Sequence, residues 1–371
     1  MSVLGIVFSN IHDKESFEVT RKRTIASAPV GSRYRLIDFT LSNMVNSGIS
    51  DIGIVVKNNY QSLMDHLSTG KEWDLARKNG GLTIIPPYGG YGEAIYSTRL
   101  QAMKKILGFV EDNKAEYVVL CDCFNICNID YKDVIKEHKE NGADITCVYR
   151  EHNVTFDDYM PIVTFDVDKS KRITKYDIKR NFFGPALVST ETWVMKRTLL
   201  IDLVKGAIKD ELRSFNREIL SKRVDSLKIY GYEFKGYFRS VGSMESYFDL
   251  NMDLLDLDVR NELFNQPSRS IYTKVRDSAP TKYHSGSKVE NSIIADGCDI
   301  QGTVINSVLF RGVTIAKGAV VKNSILMQGT EVSENTHLEY VVADKEAKFV
   351  KEKEIVGTYG NLVYVKKREV M

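Results

Sequence analysis

Nothing in this chain approaches the roughly 20 consecutive apolar residues of a membrane-crossing helix. No basic segment with a cleavage site precedes the first apolar run, Val3-Leu4-Gly5-Ile6-Val7-Phe8. Neither membrane insertion nor export is expected, and the expected location is cytoplasmic. Cysteine is sparse: Cys121, Cys123, Cys127, Cys147 and Cys298 make an odd number with no disulfide framework, which suits a reducing compartment. Three of them crowd into seven residues, but their spacing is not that of a C-x2-C knuckle, and no second cluster or histidine pair completes four ligands. The six histidines, at 12, 66, 138, 152, 284 and 337, are scattered and none accompanies a nucleophile. Charge of one sign is also missing. With 51 basic and 49 acidic residues, net +2, the chain offers no electrostatic attraction to nucleic acid or a membrane surface.

What is present suits a soluble globular protein of about two domains, with 43% hydrophobic residues in 371. Strand-like runs at Val3 to Phe8, Ile52 to Val56 and Tyr117 to Leu120 alternate with helical segments, the pattern of a Rossmann-like α/β unit. Ligands of such sheets sit beyond the carboxyl ends of the strands. The segment Arg33 to Ile49 leads into a helix closed by Gly48. Ser97 to Val110 reads as an amphipathic helix, with Leu100, Met103, Ile106, Leu107 and Val110 on one face and Lys104 and Lys105 on the other. A further helix is expected from Met244 to Leu257.

After that helix the chain changes character, and the domain boundary is placed between residues 258 and 259. From Val289 the sequence repeats: Val289-Glu290-Asn291-Ser292-Ile293-Ile294, Val304-Ile305-Asn306-Ser307-Val308-Leu309 and Val321-Lys322-Asn323-Ser324-Ile325-Leu326, with a degenerate fourth copy from Leu338. The asparagines lie 15 and 17 residues apart, each followed six positions later by a glycine, at Gly297, Gly312 and Gly329. Short apolar runs at that interval call for a parallel β-helix of three short faces per coil, each coil burying its apolar side on the next. The tail from Lys351, with Glu354 to Thr358 and Leu362 to Val365, is expected to form one further strand pair.

The stretch Arg33-Tyr34-Arg35-Leu36-Ile37-Asp38-Phe39-Thr40-Leu41-Ser42-Asn43-Met44-Val45-Asn46-Ser47-Gly48-Ile49 closely resembles the K-Y-R-L-I-D-F-x-L-S-N-x-x-N-S-G-I signature of bacterial and plant ADP-glucose pyrophosphorylases. The resemblance resumes at intervals towards the end of the chain. It implies a Rossmann-like nucleotidyltransferase domain over 1–258 and a left-handed parallel β-helix over 259–371.

In that family the first strand is followed by A-G-G-x-G-x-R-L-x-x-L-T-x-x-R-A-K-P, whose glycines admit backbone N–H groups to the nucleotide phosphates. Laid on this chain without a gap, A-G-G falls on Ser9-Asn10-Ile11, the next glycine on Asp13, the arginine on Glu15 and A-K-P on Thr24-Ile25-Ala26. Thr20 and Arg23 survive. A triphosphate would meet Asp13 and Glu15, and like charges a few ångströms apart repel by about 1 to 4 kcal/mol depending on the local dielectric.

The family's two metal-binding aspartates lie in G-D-H-I-Y-x-M-D-Y and Y-W-R-D-V-G-T. Anchored on Asp130-Tyr131, the first motif puts Phe124 at the aspartate; Asp122, two residues earlier, reaches that place only by a shift. The second maps on Tyr237-Phe238-Arg239-Ser240-Val241-Gly242-Ser243, where Ser240 replaces the aspartate. A neutral hydroxyl is a poor substitute for a carboxylate on a hard cation.

More of the substrate pocket survives. Gly90-Tyr91-Gly92-Glu93-Ala94-Ile95-Tyr96 resembles G-T-A-D-A-V-x and keeps Gly90, Ala94 and an acid at Glu93. The F-x-E-K-P motif, whose lysine meets the sugar phosphate, falls on Tyr176-Asp177-Ile178-Lys179-Arg180, making Lys179 the candidate contact. Ser189 and Trp193 lie where the family has S-M-G-I-Y-V-F. With Arg239, these residues outline a substrate-like pocket, and Arg33 and Arg35 are candidate contacts for an effector anion.

No catalytic residue is expected here, since Glu15, Ile25, Phe124 and Ser240 all stand at degenerate positions. The combination is similar to the D-type subunit that accompanies the catalytic C-type subunit in bacterial glycogen synthesis. That resemblance implies a hetero-oligomer, a heterotetramer, whose catalytic partner makes ADP-glucose from ATP and glucose 1-phosphate with Mg2+. This chain would bind no cofactor or metal of its own and would modulate the partner; a homo-oligomer of the chain alone stays open. The alternatives are an active adenylyltransferase using Asp122 as metal ligand, and a nucleotide or sugar-phosphate sensor.

Overall fold

The computed structural model describes residues 2–9, 17–87, 96–155, 158 and 161–371. Ahead of the repeats lie β1 (Val3–Phe8), β2 (Pro29–Val30), β3 (Tyr34–Arg35), β4 (Asp51–Val55), β5 (Gly81–Ile85), β6 (Tyr117–Asp122) and β7 (Asn125–Ile126). These are followed by β8 (Ile145–Val154), β9 (Ile162–Val167), β10 (Ile173–Lys179), β11 (Gly184–Lys196), β12 (Ile229–Glu233) and β13 (Arg239–Ser240). The main sheet runs β10-β9-β11-β6-β1-β4-β5, with β8 joined to β11 and β12 to β8.

At the centre, β1 is parallel to both β4 and β6, while β11 returns antiparallel beside β6. The continuous apolar run of β1 follows from burial on both faces. Leu4, Ile6 and Phe8 enter one core with Leu100 and Met103, and Val7 enters the opposite one with Ile37 and Leu41. Gly5 packs closely, since a Cβ there would lie 2.6 Å from the Met44 sulfur and Met44 would have to shift. Met44 belongs to the helix Leu36–Asn46, where the Asp38 carboxylate accepts the Arg35 backbone N–H at 2.9 Å. The expected stop holds: Gly48 sits at φ +80°.

Two expected helices are each split. Ser97 to Val110 becomes Arg99–Lys105 and Leu107–Asp112, with the Thr98 hydroxyl capping the first by accepting the Gln101 N–H at 3.2 Å. The helix from Met244 ends at Asp253, because Asp256 caps a new one, Leu257–Phe264, by accepting the Asp258 N–H at 2.8 Å. That second helix runs across the expected boundary at 258/259.

The repeats form a left-handed β-helix of three parallel five-stranded sheets. Asn291, Asn306 and Asn323 turn its corners at φ 39°, 47° and 44°, the left-handed region that asparagine tolerates better than most residues. Tyr340 takes the same corner in the degenerate coil, at φ 52°. Beside each asparagine a serine hydroxyl accepts the N–H of the next coil: Ser307 to Ser292 at 3.1 Å, Ser324 to Ser307 at 3.1 Å and Val341 to Ser324 at 3.0 Å. The tail departs from expectation. Its strands Glu354–Val356 and Val363–Val365 do not form a ladder with each other; each extends a different face, pairing in parallel with His337–Glu339 and Val341–Ala343. Stacking pairs one edge of each strand and buries Ile355 and Val365, which an isolated hairpin would leave exposed.

The two units are joined through a shared core, in which Phe17, Val19 and Tyr247 pack with Val308, Ile325 and Val342. A buried ion pair crosses the same junction. Arg23 Nη2 donates to both oxygens of Asp344 at 2.7 Å, and the Tyr364 hydroxyl donates to the same carboxylate at 3.0 Å.

Candidate functional site

A cavity of about 280 Å³ opens at the carboxyl end of the central strands, as the topology requires. Phe124, Asn125, Ser240, Arg99, Arg150 and Glu191 line it. The short ladder between β7 and β13 sets Ser240 opposite Asn125, and the Val241 N–H donates to the Phe124 carbonyl at 2.9 Å. Phe124 and Ser240, the two positions expected to be degenerate and 116 residues apart in sequence, therefore meet at the same wall.

Asp122 ends β6, buried, and its carboxylate is committed. Arg99 Nη2 donates to it at 2.5 Å and Nε at 3.4 Å, while the same Nη2 reaches Glu191 at 2.8 Å. The Arg99 guanidinium also lies 4.6 Å from the Trp193 ring centroid and 5.7 Å from that of Phe8. Burial opposes its charge, but the Asp122 and Glu191 carboxylates outweigh burial and hold its pKa above the ordinary value. Glu191 delivers its carboxylate from a left-handed backbone, φ 52°, inside a bulge of β11. A non-glycine residue in that conformation carries strain of about 1 to 2 kcal/mol.

The other expected residues disperse. Lys179, at the end of β10, places its ammonium over the Phe182 ring, 4.1 Å from the centroid, and it is its neighbour Ile178 that lines the cavity. Arg239 turns towards the helix Met244–Asp253, with Nη2 2.5 Å and Nε 3.0 Å from Asp253. Burial works against that charge and Asp253 overcomes it, so the Arg239 pKa is raised. Ile25 starts a short turn, Ile25–Ser27, and packs into the core. Glu15, Gly90, Glu93 and Ala94 lie outside the described residues.

Arg33 and Arg35 share a second, narrower crevice of about 40 Å³ at the junction of the two units, with Lys274, Arg276, Arg311 and Lys345. No carboxylate lines it among the described residues. Arg33 pairs with Asp296 at 3.0 Å at its exposed edge, and Arg35 donates to the Ser62 carbonyl at 2.6 Å. Burial, which Asp38 offsets only in part, lowers the Arg35 pKa to about 10. Burial, reinforced by Arg35 and Arg23, lowers that of Lys345 to about 8.

Sequence reasoning missed Arg99, Arg150 and Glu191. The signal for Arg99 was its spacing: with Met103 and Ile106 it falls on the apolar face of its helix, where a lone cation must have a buried partner. Glu191 stands at the glycine of S-M-G-I-Y-V-F when Ser189 is aligned to the first serine. Arg150 lies outside every motif.

Residues 17–257 match the nucleotidyl transferase family model, and residues 278–360 match the GlmU-like C-terminal hexapeptide model. The chain is 31% identical to glucose-1-phosphate adenylyltransferase of Fervidobacterium nodosum over 339 residues, 90% of this chain and 80% of that protein. The chain belongs to the glucose-1-phosphate adenylyltransferase family. Within that family it is also 33% identical to the glycogen biosynthesis protein GlgD of Bacillus subtilis, over 96% of this chain and 93% of that protein. The GlgD of Geobacillus stearothermophilus is 35% identical over 86% of this chain and 82% of its own length.

Adenylyl transfer on this fold implies Mg2+, and these side chains do not fit it. One position is a phenyl ring, the other a hydroxyl, and the nearby Asp122 is held by a guanidinium. Among the described residues no group of three or more His, Cys, Asp or Glu side chains could hold a metal ion. No helix among them is long and apolar enough to cross a membrane.

Proposed function

We propose that this chain is a catalytically impaired, regulatory subunit that supports ADP-glucose synthesis for glycogen through a catalytic partner in a hetero-oligomer. One observation carries the proposal: Phe124 and Ser240 occupy the wall of the cleft where the family's two carboxylates would stand, and Asp122 is committed to Arg99. A preserved scaffold around a cleft without metal ligands suits a protein used for its shape. Packing against the partner would bias the partner's active-site loop, a coupling typically of about 1 to 3 kcal/mol. The crevice of Arg33 and Arg35 supports effector control, because an anion there would touch both units of the chain.

The test is ADP-glucose formation from ATP, glucose 1-phosphate and Mg2+ by this chain, by a catalytic glucose-1-phosphate adenylyltransferase of the same cell, and by the two mixed. The expected result is silence from this chain alone and changed kcat or KM in the mixture. Metal-dependent turnover by the isolated chain would overturn the proposal, and so would a mixture indistinguishable from the partner.

A further inference from the structure

We propose that the asparagine corners of the β-helix, together with the helix packed beside them, form a groove that binds a neutral sugar chain, an α-linked glucan. The groove, of about 480 Å³, runs between Phe248, Asp249 and Met252 of the helix Met244–Asp253 and the row Asn291, Asn306 and Asn323. It shares no lining residue with the cleft or with the crevice of Arg33 and Arg35. The left-handed backbone accounts for asparagine at each corner but not for what its amide meets in the groove. Asn291 Nδ2 donates to Asn306 Oδ1 at 2.9 Å and Asn323 Nδ2 to Glu339 at 3.3 Å, while among the described residues Asn306 Nδ2 and Asn323 Oδ1 have no hydrogen-bond partner. Neighbouring coils stand about 4.8 Å apart. That is close to the advance of one sugar ring along an oligosaccharide, so successive amides can serve successive rings.

An aromatic platform closes one end of the row. Tyr340 takes the corner of the next coil, and one coil further 357–362 leaves the stack as a tight turn, in which Thr358 and Asn361 exchange backbone hydrogen bonds at 3.1 and 2.9 Å. Tyr359 in that turn is 55% exposed yet held in place: its hydroxyl bonds to Asp249 at 3.0 Å and its ring meets Phe248 edge-on, 6.5 Å between centroids. A fixed ring with an open face is a surface on which the C–H groups of a sugar pack. Other occupants fit less well. No Lys or Arg lines the groove among the described residues, so an anion finds no counter-charge. Both carboxylates are already engaged, Asp249 by Tyr359 and Arg239 and Asp256 by the Asp258 N–H, which leaves a basic peptide without an acceptor. An apolar helix would bury the amides unpaired. A neutral chain of hydroxyls and apolar ring faces satisfies amides and aromatic rings together. The groove asks only for such a chain; its assignment as α-linked glucose rests on the role in glycogen synthesis proposed above.

The experiment titrates the full chain by calorimetry and ligand-observed NMR with maltoheptaose, and with cellopentaose as the β-linked counterpart. Maltoheptaose is expected to bind and cellopentaose to bind more weakly. Asn306→Gly combined with Asn323→Gly keeps the left-handed corners and removes their amides, and is expected to weaken binding about tenfold, as is Tyr359→Leu. Full affinity in these variants would overturn the inference. A preference for cellopentaose would overturn the α-glucan and count against the role in glycogen. Binding of neither sugar would overturn the groove while leaving the subunit proposal, which is tested by kinetics, as it stands; a changed oligomeric state in Asn306→Arg would then give the groove to a protein partner. Should the glycine variants fail to fold, nitration of the wild-type chain by tetranitromethane decides: protection of Tyr359 by maltoheptaose supports the groove, and nitration indifferent to the sugar refutes it.

Discussion

Replacing Asp344 with asparagine keeps the shape of the side chain and removes its charge, leaving the Arg23 guanidinium buried at the junction without a counter-ion. Both partners are nearly inaccessible, with side chains 6% and 5% exposed, so water cannot take over the lost role. Breaking one half of such a pair costs about 3 to 5 kcal/mol, a large part of the roughly 5 to 15 kcal/mol that holds a protein folded. Replacing both, Arg23→Met with Asp344→Leu, removes the orphaned charge and should recover most of the loss. What remains is about 1 to 3 kcal/mol, because the Tyr364 hydroxyl and the Lys345 N–H also donate to Asp344 and would lose their acceptor. Equilibrium urea unfolding followed by tryptophan fluorescence and by circular dichroism measures both. Trp73 and Trp193 lie in the first unit, so Asp344→Asn is also expected to separate the fluorescence transition from the dichroism transition. A loss below about 1 kcal/mol for Asp344→Asn, or a double variant as unstable as the two single losses added, would refute the reasoning.

His138 is buried against Thr146 at 2.9 Å, and burial followed by the nearby Lys196 lowers its pKa from 6.5 to about 4. The folded state thus resists protonation that the unfolded chain accepts. Its contribution is intact above pH 6.5 and is lost as the pH falls towards 4, a swing of about 3 kcal/mol that should shrink in the pH–stability profile of His138→Gln. Gly5→Ala should destabilise by about 1 to 3 kcal/mol through the Met44 contact, and a rise in melting temperature would contradict that packing.

The fold was legible where local chemistry and long-range packing agree. The β1 run, the Gly48 stop and the period of the repeats each state a requirement that few sequences meet, and each lies where expected. Helix lengths were less legible, because the caps at Thr98 and Asp256 act within an otherwise continuous apolar pattern. In the cleft, motif positions located Phe124 and Ser240 on one wall. They could not reveal that Arg239 turns to Asp253 or that Lys179 lies on Phe182, since side-chain direction depends on neighbours distant in sequence. The Arg99 and Glu191 pair escaped for a related reason: the two residues are 92 positions apart, and the motif in which Glu191 falls has a glycine at its place.

The serine ladder of the β-helix also governs how this region can change in length. Successive asparagine corners are separated by 15 and then 17 residues, yet every serine still meets the backbone of the next coil. The two additional residues are absorbed at another corner, where 316–319 replaces the shorter 301–302 between consecutive strands. One corner thus acts as a fixed ruler and another as slack. An insertion at 316–319 would pass without disturbing the stack, whereas one between Asn306 and Ser307 would throw the coils on either side out of step. In the coil of Glu354–Val356 and Val363–Val365 the asparagine corner itself lengthens, 357–362 standing where Tyr340 stands one coil earlier. Within the asparagine–serine coils the domain therefore grows or shrinks by whole coils or at the slack corner, and in that coil at the asparagine corner too.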